Sequence, residues 1–235
     1  MFLHPFPAIA GAIFVSAVSV TLAYAQDNQL RITQDGGQNT LIVDQSEAVG
    51  SIVGGRSLIL DDDKSAFARQ IGAGNSATIL DGGNGNRIAL EQNSGTSGEG
   101  NSATIAVDAA AGTLGRSATP DAGSALASDF AGGNTAFVFQ DGRGNSADVS
   151  VNGQLSGAGA IQIGNDNQAE VDVEGNQVFG GILQQGNNNA AALSVVGAPG
   201  TNVIYNQIGN NLVGAPPSVV SNGATVFITQ STFGQ

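Results

Sequence analysis

Residues 156–173 read Ser156-Gly157-Ala158-Gly159-Ala160-Ile161-Gln162-Ile163-Gly164-Asn165-Asp166-Asn167-Gln168-Ala169-Glu170-Val171-Asp172-Val173. A seven-residue segment ends at Gln162, a four-residue turn follows, and a second seven-residue segment starts at Asn167. Working outward, Gln140, Gln162 and Gln184 fall 22 residues apart. Each is followed by a turn (Asp141-Gly142-Arg143-Gly144, Ile163-Gly164-Asn165-Asp166, Gln185-Gly186-Asn187-Asn188) and then by Asn-x-Ala at Asn145, Asn167 and Asn189. The same beat occupies 28–34, 39–45, 64–70, 75–81, 86–92, 101–107, 134–140, 145–151, 178–184, 189–195 and 201–207, with a weaker copy at 224–230. A fixed period of this size marks a repeat architecture.

Alternate residues of a strand share one face. In 134–140 one face is Asn134, Ala136, Val138, Gln140; in 145–151 it is Asn145, Ala147, Val149, Val151. The middle positions are apolar and the flanking ones mostly Asn, Ser, Thr or Gln. The opposite face holds most of the strand charge: Arg31, Asp44, Arg69, Arg87, Glu91, Asp148, Glu170 and Asp172. Lys64 and Asp81 are exceptions at segment ends, where a side chain is expected to reach water. Gly and Asn at this spacing would break helices.

A four-residue turn reverses the chain, so successive segments form two facing layers and equivalent residues stack. The expected fold is all-β: a two-layer β-solenoid of about 22-residue strand-turn-strand repeats, with rungs about 4.8 Å apart. Expected ladder and turn residues are Gln70, Gly72 and Asn75; Asn134, Gln140, Gly142 and Asn145; Ser156, Gln162, Gly164 and Asn167; Gln184, Gly186 and Asn189; and Gln207 and Gly209. Glycine supports the positive φ of tight reversals. Stacked Asn and Gln pass amide hydrogen bonds from rung to rung. Pro120, Pro199, Pro216 and Pro217 lie outside the segments, as the missing N–H requires.

Residues 1–25 read as a secretory signal peptide, with an apolar stretch from Ile9 to Leu22 and small residues at Ala23-Tyr24-Ala25. Residues 26–235 are then one repeat solenoid with insertions near 46–63 and 108–133. No later segment has the length and apolarity of a membrane-spanning helix. The formal net charge of -12 with seven basic residues disfavours nucleic acid. Cysteine is absent, and the only histidine precedes the cleavage site. This removes the usual triads and thiolate metal sites, so no enzyme activity, catalytic residue, metal or cofactor is expected. Gly82-Gly83-Asn84-Gly85-Asn86 lacks the aspartate and the nine-residue period of calcium-binding β-rolls.

The pattern Ser-x5-Gln-x-Gly-x-x-Asn-x-Ala-x3-Gln resembles the curlin repeat of curli subunits, with Val173 and Asp81 standing in the closing position of two copies. Ser156, Gln162, Gly164, Asn167 and Ala169 carry it, as do Asn134, Gln140, Gly142, Gly144, Asn145 and Ala147, and Gln70, Gly72, Gly74, Asn75 and Ala77. The resemblance implies a secreted bacterial subunit, major, minor or nucleating. Such subunits polymerise into extracellular amyloid fibres for cell adhesion and biofilm matrix. It also implies self-association, association with other curlin subunits, and a dedicated secretion machinery. Independently, open strand edges recruit other chains unless capped, and no capping helix is legible, so both solenoid ends are expected to be open. The alternative is a monomeric β-helix surface adhesin whose C-terminal edge is capped by 212–235. Phe137, Phe139, Ile161, Phe179, Leu183 and Ile204 face outward on one sheet and are expected to form an apolar flank for lateral bundling; the other sheet shows an acidic flank.

Overall fold

The computed structural model describes residues 27–61, 66–95, 99–108, 133–214 and 217–232. The signal-peptide assignment, Lys64, Pro120, Pro216 and nearly all of the 108–133 stretch lie outside those residues.

The chain is a β-solenoid of about seven turns with a repeat of about 23 residues. One wall, sheet A, contains β1 (Gln29–Leu30), β2 (Ile32–Asp35), β4 (Ile52–Gly54), β5 (Ala68–Ile71), β7 (Arg87–Asn93), β9 (Thr135–Asp141), β11 (Gly157–Ile163), β13 (Phe179–Gln185), β15 (Asn202–Ile208) and β17 (Thr225–Ser231). The facing wall, sheet B, stacks β3 (Thr40–Asp44), β6 (Ser76–Asp81), β8 (Ser102–Val107), β10 (Ser146–Gln154), β12 (Gln168–Asn176), β14 (Ala190–Ala198) and β16 (Ser218–Asn222). Every pairing is parallel. Gln140 stands over Gln162, Gln162 over Gln184, Gln184 over Gln207 and Gln207 over Gln230.

Alternation makes the walls close on each other. The inward columns Ala103–Ala147–Ala169–Ala191 and Ile105–Val149–Val171–Leu193 are all buried and meet Val138, Ala160 and Ile182 from the other wall in one continuous cluster. Small residues let the walls approach, and β-branched ones fill the remaining width at little rotamer cost. Each buried Val or Ile contributes about 1.5–3 kcal/mol relative to exposure, and no wall could bury this face alone.

The corners explain the turn sequence. Positions two and four of each turn have positive φ: +122° at Gly164 and +55° at Asp166, +124° at Gly186 and +55° at Asn188, +136° at Gly209 and +55° at Asn211. The fourth position sits in the left-handed helical region, which Asn, Asp and Gly enter most readily.

The first insertion is not where the repeat count placed it. Leu30 pairs with Val53, 23 residues on, whereas Ile32 pairs with Ala68, 36 on. The excess of 13 is the length of segment 55–67, so residues 52–54 belong to the wall and the interruption falls in mid-strand. The first half of that strand is therefore β4, not 64–67. Segment 55–67 carries α1 (Arg56–Leu60). Further on, Gln92 pairs with Gln140 across 48 residues, which leaves 26 beyond an ordinary 22-residue step.

Candidate assembly interface: ladders, corners and outer edges

The glutamine column is a directed ladder. Gln34 Nε2 donates to Gln70 Oε1 at 2.6 Å and Gln70 Nε2 to Gln92 Oε1 at 2.7 Å. Gln162 donates to Gln184, Gln184 to Gln207 Oε1 at 2.7 Å, and Gln207 to Gln230 Oε1 at 2.9 Å. Every donor points toward the C-terminal end. The same Nε2 groups also donate across the corner to sheet B carbonyls, as Gln184 does to Gln168 O at 2.9 Å and Gln207 to Ala190 O at 3.1 Å. Gln140 is the exception: its Nε2 reaches Ser102 O at 3.3 Å, but its buried Oε1 has no partner.

The asparagine columns show the expected amide-to-amide stacking in places, with Asn167 Nδ2 donating to Asn145 Oδ1 at 3.0 Å and Asn145 Nδ2 to Asn101 Oδ1 at 3.4 Å, and add a second mode. Their side-chain oxygens mostly accept backbone N–H groups of the following rung. Asn39 Oδ1 accepts from Asn75 N at 3.0 Å, Asn75 from Asn101 N at 3.0 Å, Asn145 from Asn167 N at 3.2 Å, Asn167 from Asn189 N at 3.1 Å and Asn189 from Leu212 N at 3.0 Å. At the other corner Asn86 and Asn134 accept from Asn134 N and Ser156 N, both at 2.8 Å, and Ser156 Oγ accepts from Val178 N at 3.2 Å. A buried N–H must find an acceptor. The strand's first inward position supplies one, which is why Asn or Ser recurs there. The corner turns carry a third, solvent-facing ladder: Asn165 Nδ2 donates to Asn187 Oδ1, and Asn187 Nδ2 to Asn210 Oδ1, each at 3.0 Å.

Gly72, Gly142, Gly164, Gly186 and Gly209 all occupy the stacked corner as expected, with positive φ. A side chain on Gly142, Gly164 or Gly186 would run into the carbonyl of the next glycine in the column. A second column escaped the sequence reading. Gly153 and Gly175, with φ of +144° and +135°, stack at the opposite corner against Gly175 and Gly197. Their 22-residue spacing was the available signal.

Asp81 corrects the expectation that its carboxylate reaches water. It is 3% exposed and accepts from Asn86 Nδ2 at 2.7 Å and Gln45 Nε2 at 3.3 Å. Burial pushes its carboxyl above the ordinary carboxylate range, against the opposing pull of hydrogen bonds from Asn86, Gln45, Ser51 and the Gly83 backbone. A group held more tightly protonated when folded contributes stability that is complete below its unfolded pKa and is lost as pH rises through its folded pKa. Acidifying from neutral pH down to the ordinary carboxylate range is therefore expected to raise the urea midpoint of the native protein more than that of Asp81→Asn, which takes up no proton there. The pair of midpoints at each pH checks this; equal increments would remove the role assigned to burial.

The apolar outer face is also a correction. Phe137, Phe139, Ile161 and Phe179 do point out of sheet A, yet they are only 2%, 2%, 5% and 6% exposed, and Leu183 and Ile204 are half-buried against them. Segment 55–67 lays α1 against β7 and β9, with Ile59 packed on the cluster and the Arg56 guanidinium 5.7 Å from the Phe139 ring centre. Phe137 stacks on Phe139 at 5.2 Å and lies over Gly159, where a side chain would collide with its ring. Among the described residues, Phe137, Phe139, Ile161 and Phe179 form a second core rather than the open surface expected for bundling.

What stays open is the two ends. Among the described residues nothing pairs with the outer sides of β1–β2 and β3 at one end or of β16 and β17 at the other. Phe227 is 70% and Val220 80% exposed there. The described residues contain no cluster of three or more His, Cys, Asp or Glu able to hold a metal, and no helix long and apolar enough to cross a membrane. No protein-family model, no curated protein and no solved structure matches the chain.

Proposed function

We propose that the protein is a secreted structural subunit that polymerises into extracellular, curli-like amyloid fibres serving adhesion and biofilm matrix. One observation carries this reading. Among the described residues, nothing pairs with the outward backbone groups of the end strands of sheet A, which continue the inward columns of the interior: Leu30, Ile32 and Gln34 at one end, Val226, Ile228 and Gln230 at the other. Such an edge is a template for another chain, and a coil with matching columns at both ends has no geometric stop. The resemblance of the repeats to curlin repeats supports the same role, with self-association or other curlin subunits as partners.

A second reading, a monomeric surface adhesin, is favoured by one feature. Pro217, which has no N–H, immediately precedes β16, and among the described residues only Val213 bridges the first half of β14, so the C-terminal edge of sheet B is less regular there. Purified residues 26–235 decide between them. The expected result is seedable, thioflavin-positive fibres with a meridional reflection at about 4.7–4.8 Å. A chain that stays monomeric at high concentration in the presence of seeds would make the adhesin the correct reading.

A further inference from the structure

Resting on the self-assembly reading, we infer that copies join head to tail through one wall only: β17 of one copy adds, parallel and in register, to β1–β2 of the next, with Gln230 against Gln34.

The ladder polarity selects this partner. Gln34 is exposed and spends its Nε2 on Gln70, leaving Oε1 at the outer edge. Gln230 spends its Oε1 on Gln207 and Tyr205, leaving Nε2. Donor meets acceptor only when the C-terminal edge of one copy faces the N-terminal edge of another. The backbone agrees. In β1–β2, Gln29, Arg31 and Asp35 spend their groups on the interior, through Gln29 N to Ser51 O, Arg31 N to Val53 O and Gly72 N to Asp35 O. In a parallel strand the alternate residues Leu30, Ile32 and Gln34 then point their N–H and C=O outward. In β17, Ala224 O and Thr232 N face β15, so Phe227, Thr229 and Ser231 point theirs outward. The two sets interleave when Gln230 is set against Gln34.

Side chains follow. That register puts Val226 on Leu30, Ile228 on Ile32 and the exposed Phe227 ring on Arg31, whose buried Nε has no hydrogen-bond partner. Arg56 over Phe139 already shows an arginine placed this way in the same molecule.

Other pairings fit less well. Asp27, Asp35, Asp44 and Glu47 against Arg31 make the N-terminal edge acidic, so joining two such edges opposes like charges, while the chain after Glu174 carries no charged residue at all. Two C-terminal edges related by a two-fold axis would run antiparallel and, centred on Ile228, set the Gln230 amide against Val226. Such an unmatched buried donor costs about 1–3 kcal/mol.

Sheet B contributes little to the joint. Traced through the stacked register, Ser218 falls in the column of Asp44, so β16 and β3 overlap at a single position.

The chain has no cysteine, which makes the test clean. Thr33 and Thr229 are exposed outward positions that the register places against each other. In fibres of Thr33→Cys/Thr229→Cys, a short thiol crosslinker is expected to give an intermolecular ladder on a denaturing gel, with no such product from either single variant. Crosslinking in Thr229→Cys alone, or in Thr33→Cys alone, overturns the joint, as does an uncrosslinked double variant that still forms fibres; in each case self-assembly itself survives. Absence of fibres from the native chain overturns the self-assembly reading instead. Thr229→Pro supplies a second readout. It deletes an outward N–H without touching the bonds to β15. It is expected to keep the native far-ultraviolet spectrum, lose polymerisation alone and shorten native fibres when added in small amounts. Elongation at the native rate by Thr229→Pro overturns the joint.

Discussion

Replacing Gly186 by alanine is expected to destabilise the protein by about 4 kcal/mol or more. Two costs combine. The backbone at Gly186 has a φ of +124°, which L side chains rarely adopt, and the added Cβ would collide with the Gly209 carbonyl oxygen and crowd Asn210 Oδ1. Strain of this kind costs about 1–3 kcal/mol by itself. Relief of the collision requires the rungs to part at that corner. The corner bonds there run from Asn187 N to Asn210 Oδ1 at 2.8 Å, from Asn189 Nδ2 to Gly209 O at 2.8 Å and from Gly209 N to Gln185 O at 2.9 Å. Each is worth about 0.5–1.5 kcal/mol. Gly37 is the internal control. It lies in an equivalent turn, yet a Cβ there meets nothing within 4 Å and its φ is not in the positive range. Gly37→Ala is expected to change stability by less than about 1 kcal/mol, with a gain from the stiffer unfolded chain. Urea melts of the soluble monomers measure both; similar midpoints for the two variants would mean that the stacked corner tolerates widening.

The contrast between these glycines shows which features are legible in the residues. Period and turn chemistry identify the coil, its two walls and the inward face, because a 22-residue spacing of Gln140, Gln162 and Gln184 has no other compact solution once each segment alternates. They also pick out the corner glycines, since only a stacked turn needs Gly in the same place repeatedly. Three features depend on long-range geometry and were hidden. The count back from Gln70 filled the strand with 64–67, because an insertion splitting a strand leaves a local pattern that still reads as a segment; only pairing with Ile32 and Leu30 reveals the break between Gly54 and Ala68. Phe137 and Phe179 alternate as outward residues, and alternation does not tell what folds over them. Asp81 closes its segment with an inward parity that the residues show, but that this segment end is enclosed, with Asp81 set against Val107 in the next rung, is set by the stacking.

The glutamine ladder gives the second large effect, and its irregularity makes the prediction specific. Gln184 is fully buried, accepts from Gln162 and donates to Gln207 Oε1 and Gln168 O. Gln184→Leu keeps the volume and removes all three bonds, leaving buried polar groups above and below without their partner. At about 1–3 kcal/mol for each buried group left unsatisfied, the expected loss is about 3 kcal/mol. Gln140 stands in the same column and is equally enclosed, but its Oε1 already lacks a partner and its Nε2 makes only a 3.3 Å bond to Ser102 O. Gln140→Leu is therefore expected to cost less than about 1 kcal/mol, since it removes a penalty together with a weak bond. Sequence similarity alone assigns the two glutamines one value. A further variant separates ladder energy from packing. Gln162→Leu combined with Gln184→Leu should cost less than the sum of the single losses, because the bond between the two amides is counted in both. Equal losses at 140 and 184, or strict additivity at 162 and 184, would show that these amides fill space and that the backbone ladders alone hold the rungs.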